Sequence, residues 1–146
     1  MRRATFGAAL VLALILGVTA QGATAALIKG TPRSDQLDGT PQDDRIFGFA
    51  GDDQIRGLGG YDVLFGGPGD DTLNGDSGKD FLSGGDGDDT LFVAYDGGGA
   101  LRDFASCGDG QDIVIVSGVP ESARNRVRRQ LEGVPSNCET VRFSGG

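Results

Sequence analysis

From Gly30 to Phe92 one nine-residue unit is written seven times without a gap, and a fixed period of this kind restricts the chain to architectures that stack small units on one another. The copies are GTPRSDQLD, GTPQDDRIF, GFAGDDQIR, GLGGYDVLF, GGPGDDTLN, GDSGKDFLS and GGDGDDTLF. Gly opens every copy. The sixth place is always Asp (Asp35, Asp44, Asp53, Asp62, Asp71, Asp80 and Asp89), and the eighth is Leu or Ile (Leu37, Ile46, Ile55, Leu64, Leu73, Leu82 and Leu91). Asp fills 14 of the 63 places. At that frequency seven Asp in one column would arise by chance roughly 3 times in 100,000, which sets aside a merely Gly- and Asp-rich linker.

The two halves of the unit do different work. Places one to six are turn chemistry, since Gly accepts positive φ and close backbone approach and Asp tolerates turn geometry. Places seven to nine make a three-residue strand whose middle side chain points inward. Two units then complete a coil of 18 residues, and strands of successive coils stack at about 4.8 Å in a parallel ladder. The expected fold is all-β, a parallel β-roll (β-solenoid).

Stacking sets Asp53 over Asp71, Asp71 over Asp89 and Asp62 over Asp80, and by the same period Asp35 over Asp53 and Asp44 over Asp62. Two unit charges about 5 Å apart at an effective dielectric near 20 repel by roughly 3 kcal/mol at each pair. The block's 14 Asp face only Arg33, Arg45, Arg56 and Lys79, a net charge of −10, so the protein cannot neutralise the column itself. The donors on offer are carboxylate and turn carbonyl oxygens, with no His in the chain and no Cys in the block. Hard oxygen ligands on a flexible turn suit Ca²⁺, whereas Mg²⁺ wants a tighter octahedron and Zn²⁺ wants N or S. With a core only one aliphatic residue wide per unit, metal binding and folding are expected to be coupled.

These residues resemble the RTX (hemolysin-type) calcium-binding nonapeptide, GGxGxDxUx, over 63 contiguous residues. GGPGDDTLN and GGDGDDTLF fit every specified place. The resemblance implies Ca²⁺ held between turns by the sixth-place Asp and by turn carbonyls, with Gly51, Gly69 and Gly87 at fourth places. Arg33 and Gln42 stand where that family has Gly, and Tyr61 and Lys79 occupy fifth places beside Asp62 and Asp80.

After Phe92 the register slips by five residues, VAYDG, and two degenerate copies follow, GGALRDFAS with Asp103 and CGDGQDIVI with Asp112. Asp112 would lie above Asp89 if the stack resumes, and the insertion fits an end to the stack equally well. PESARNRVRRQLE, from Pro120 to Glu132, places Ala123, Val127 and Leu131 on one face and is followed by Gly133, which predicts one helix. Its Arg124, Arg126, Arg128 and Arg129 could suit a nucleic-acid or membrane patch. A short helix containing Glu beside so acidic a domain is better read as a cap, and repeat proteins need their open ends covered. The organisation expected is thus a leader over 1–25, the roll over 26–92, and degenerate repeats with a cap over 93–146.

The leader is a secretory signal peptide: a basic start at Arg2 and Arg3, an uncharged apolar run from Ala8 to Ala20, and ATA before Ala26. Cleavage is expected after Ala25, with Ala20 the alternative. The run is too short for a membrane span. The mature chain would be a secreted, extracellular monomer of about 121 residues, with neither a membrane span nor a nucleic-acid partner. In an exported chain the two cysteines, Cys107 and Cys138, are expected to be bonded. CGDGQDIVI followed by CETVRF also resembles the end of small exported RTX-like proteins of actinobacteria.

Without His, HExxH zinc chemistry and His-based triads are excluded, and acids in every turn with no shielding pocket do not make a glycosidase pair. The chain is therefore expected to be a non-enzymatic, secreted calcium-binding protein. The alternative is an extracellular adhesive module, stiffened by calcium, that meets cell envelope or polysaccharide through exposed Phe47, Phe65 and Phe92 at ninth places.

Overall fold

The computed structural model describes residues 24–95, 103–131, 138 and 140–144. All but the last two residues of the expected leader, part of the five-residue insertion, and Glu132 and Gly133 lie outside these. Places seven to nine form or open the strands, as the alternation requires, except in the two-residue Gly59–Gly60 and Ser77–Gly78, which fall at places three and four: β1 (Leu27–Lys29), β2 (Gln36–Asp38), β3 (Arg45–Phe47), β4 (Gln54–Arg56), β5 (Gly59–Gly60), β6 (Val63–Pro68) and β7 (Thr72–Asn74). They continue as β8 (Ser77–Gly78), β9 (Phe81–Asp86), β10 (Thr90–Ala94), β11 (Phe104–Asp109) and β12 (Ile113–Ser117), then helix α1 (Glu121–Leu131) and β13 (Thr140–Ser144).

Every copy crosses to the opposite sheet, so neighbours in a sheet are one coil apart. One sheet runs β1-β3-β6-β9-β11 and the other β13-β12-β10-β7-β4-β2, with β5 and β8 paired in a turn. All pairs are parallel, and from β1 to β10 register falls at the predicted 18 residues, for example Leu37↔Ile55 and Ile55↔Leu73. The eighth-place side chains from both sheets meet between them as the buried core. Leu73 is fully buried with Ile55 and Leu91 as its register neighbours. Leu73→Ala is expected to destabilise the calcium-loaded protein by about 2–5 kcal/mol, seen as a thermal midpoint lowered by about 10 °C or more. An unchanged midpoint would mean that the column is not the core.

The roll extends further than the seven copies at both ends. Leu27–Lys29 adds a strand against β3, with Ile28 opposite Ile46, because Ile28 already occupies an eighth place one unit before Gly30. The slip after Phe92 does not end the stack. Register there becomes 23 residues, Phe104↔Phe81 and Leu91↔Val114, so the five extra residues are absorbed within a single coil. Part of the insertion lengthens β10, whose Val93 turns inward opposite Val116. The alternation of LFVA and IVIVS carried that signal.

At the C-terminal end β13 adds a parallel strand to β12, and Val119, Ala123 and Val127 from the start of α1 and its approach join the core cluster. Cys107 and Cys138 form a disulfide with Cα atoms 5.3 Å apart. This is the disulfide-linked cap with one short helix that was expected. The side chains of Arg126, Arg128, Arg129 and Leu131 lie outside the described part. No described helix is long and apolar enough to cross a membrane.

The aromatic expectation needs correction. Phe47, Phe65 and Phe92 are half-buried, and they do not share a face, since even and odd copies feed opposite sheets. Phe47 and Phe65 instead stack at 5.1 Å and continue through Phe81 to Phe104 on the outside of one sheet, while Phe92 lies on the other.

Candidate metal centre

The sixth-place residue is the last of the turn, and the main chain itself brings these acids into columns. The backbone N–H of each donates to the Oδ1 of the acid one coil later: Asp35 to Asp53, Asp44 to Asp62, Asp53 to Asp71, Asp62 to Asp80 and Asp71 to Asp89, each at 2.8 or 2.9 Å. All seven acids are buried. The structure therefore places the predicted vertical neighbours together, and it supplies a cause that the period alone did not show.

The other carboxylate oxygen divides the column. In the first two copies Oδ2 is held locally: Asp35 by the N–H and hydroxyl of Thr31, Asp44 by those of Thr40. The Oδ2 atoms of Asp53, Asp62, Asp71 and Asp89 are buried without a hydrogen-bond donor. A buried, unpaired carboxylate oxygen is too costly to be left to itself. Thr at the second place was the sequence signal for this division.

First-place glycine has a steric reason. A Cβ on Gly66 would overlap Asp71 Oδ2 and lie 2.7 Å from the Gly84 carbonyl oxygen, and Gly48 stands in the same relation to Asp53 Oδ2 and the Gly66 carbonyl at 2.8 Å. A carboxylate oxygen and a carbonyl oxygen thus converge wherever that side chain is missing. Fourth-place carbonyls also line up between coils: Gly69 sits against the Gly51 carbonyl and Gly87 against that of Gly69, too close for a side chain. Among the described residues no three acidic or Cys side chains come together, so an ion in these turns must draw on backbone carbonyls as well.

Little countercharge is at hand. Arg56 reaches Asp38 at 3.9 Å and Asp76 at 3.6 Å on the surface, where such pairs contribute about 1 kcal/mol or less. Fifth-place acids add a second, exposed ladder, with Asp70 N–H donating to Asp52 Oδ1 and Asp88 N–H to Asp70 Oδ1. Burial, foremost, pushes the carboxyls of Asp62 and Asp71 up to about 6 and that of Asp89 up to about 7. It raises Asp53 as well. Backbone N–H bonds oppose the rise, and neighbouring carboxylates add to it.

Unpaired buried carboxylate oxygens beside stacked carbonyls, with no nitrogen or sulfur ligand in the turns, are the donor set of a hard divalent cation. Residues 29–64 and 65–93 match the family model of the RTX calcium-binding nonapeptide repeat, in four copies. No curated protein and no solved structure matches the chain.

Proposed function

We propose that this chain, whose residues 29–93 match the RTX calcium-binding nonapeptide repeat, is an exported calcium-binding protein whose roll holds its shape only when calcium occupies the turns. The carrying observation is the set of buried Oδ2 atoms without donors on Asp53, Asp62, Asp71 and Asp89. Together with Asp80 these acids hold the ions, assisted by turn carbonyls that include those of Gly51, Gly69 and Gly87. Asp35 and Asp44 share the column, but Thr31 and Thr40 already serve them, so the first turns form with least help from metal. The bound ion would supply positive charge; the chain supplies the oxygen ligands and their spacing. The disulfide and the apolar leader support export, and millimolar calcium outside the cell fills even sites of modest affinity. The role is structural and not enzymatic.

Equilibrium dialysis of the mature protein against ⁴⁵Ca tests this. Several ions per chain are expected to be retained, with fewer in Asp71→Ala. A protein that retains none has no such function.

A second reading, an adhesive face, is favoured by the aromatic row. A cleft of about 450 Å³ beside it is lined by Pro32, Phe47, Phe49, Ala50, Phe65 and Pro68. Phe49 is half exposed and holds a positive φ of 80°, a strained backbone for a bulky side chain. Envelope polysaccharide pulled down by the calcium form, but not by Phe49→Ser, would support this use of the roll.

A further inference from the structure

We infer that the turn from Cys107 to Asp112 closes one more calcium site against the turn from Gly84 to Asp89, outside the repeats that the family model covers, whereas the neighbouring degenerate copy at Asp103 closes none. The inference rests on the calcium reading above and extends it to the end of the roll.

The geometry of the matched turns is reproduced at this join. Asp89 N–H donates to Asp112 Oδ1 at 2.9 Å, the same bond that orders the earlier acids. Gln111 N–H continues the outer ladder to Asp88 Oδ1 at 2.9 Å. Gly108 and Gly110 hold φ of 117° and 138° and press against the carbonyls of Gly85 and Gly87, positions where a side chain would be excluded. Asp89 Oδ2 and the Cys107 carbonyl oxygen converge at Gly84, as Asp71 Oδ2 and the Gly84 carbonyl do at Gly66. Asp112 is fully buried and its Oδ2 has no hydrogen-bond donor. Asp86, Asp88, Asp89, Asp109 and Asp112 belong to these two turns, and neither turn contains Lys or Arg. Cys107, which opens the turn, is tied to Cys138 and cannot drift from its place on the outermost strand.

Asp103 differs in the feature that matters. Its Oδ1 accepts the N–H of Asp80 at 3.0 Å and its Oδ2 that of Ala94 at 2.8 Å, so both oxygens have donors from the protein. Lys79 also stands in the facing copy. The lengthened β10 brings Ala94 to this position, and its amide thereby removes the need for an ion at Asp103.

The test is the number of calcium ions bound per chain in the full mature protein and in Asp112→Asn and Asp103→Asn. Asparagine keeps an oxygen for the Asp89 N–H, so the fold is retained, and circular dichroism in saturating calcium checks this. Asp112→Asn is expected to bind one ion fewer, and Asp103→Asn the same number as the parent. An unchanged number in Asp112→Asn, or an equal loss in Asp103→Asn, overturns the inference while leaving the matched sites standing. If the parent binds no calcium, the functional reading fails too. Anomalous scattering from crystals of the unaltered, calcium-loaded protein gives a second measurement. A peak between the turns of Asp89 and Asp112 is expected, and peaks in the earlier turns with none there would refute the site.

Discussion

Chelating calcium at about pH 7.5 is expected to convert the strand spectrum of the mature protein to that of an unfolded chain, and acidifying the calcium-free sample to about pH 5 is expected to restore much of it. Both follow from the same buried carboxyls. Burial raises Asp62 and Asp71 to about 6 and Asp89 to about 7, well above an ordinary aspartate near 4. The folded, metal-free state therefore holds protons that the unfolded state has released. Stability from these groups is fully present below the unfolded value and is lost as pH rises through about 6 to 7. On the calcium reading proposed above, a proton and a calcium ion are alternative ways to relieve the same buried charge. The decisive measurement is a pair of pH titrations by circular dichroism, with chelator and with millimolar calcium. The chelated protein should lose stability from about pH 4 up to about pH 7, and the calcium curve should stay flat across that window. A chelated protein as folded at pH 8 as at pH 5 would show that the carboxylates are not what opposes folding.

Gly66→Ala should have the second large effect, and it separates the oxygen pocket from ordinary backbone strain. Gly66 is not held at positive φ, so alanine suits its backbone. The added Cβ would nevertheless occupy the point where Asp71 Oδ2 and the Gly84 carbonyl converge. Buried polar atoms cannot move without breaking the Asp53 N–H bond to Asp71 Oδ1, so a loss of about 3 kcal/mol or more is expected, together with loss of calcium from the adjoining turns. Gly59→Ala is the control, because the nearest atom to its Cβ is the Ser77 hydroxyl at 3.3 Å, a flexible group that can give way. Thermal melting and calcium content should change sharply for the first substitution and little for the second. Equal calcium content in both would place the ion elsewhere.

Much of the roll could be read from the chain, for an identifiable reason. A strict period allows one local geometry to repeat, so the strands at places seven to nine, the inward eighth place and the 18-residue register all follow from adjacent residues. The ends escaped that logic. Ile28 had the right place but lacked the Asp and Gly columns around it, since Ala26 stands sixth and offers only its main chain, donating its N–H to Asp44 Oδ1 and accepting that of Arg45. The insertion could equally have ended the stack. It did not, because Val93 found an inward partner in Val116 across the ladder, a contact between residues 23 apart.

The candidate site divides in the same way. The columns of Asp and Gly, their unbalanced charge and their all-oxygen chemistry belong to the sequence by itself, because composition and spacing determine them before any folding. Which carboxylates lack a donor was decided only in three dimensions. Asp35 and Asp44 meet Thr31 and Thr40, Asp103 meets the amide of Ala94, and Asp53, Asp71, Asp89 and Asp112 each keep one oxygen without a donor. Hydrogen-bond satisfaction depends on what lies within about 3 Å, and in a coiled chain that neighbour comes from the next coil as often as from the next residue.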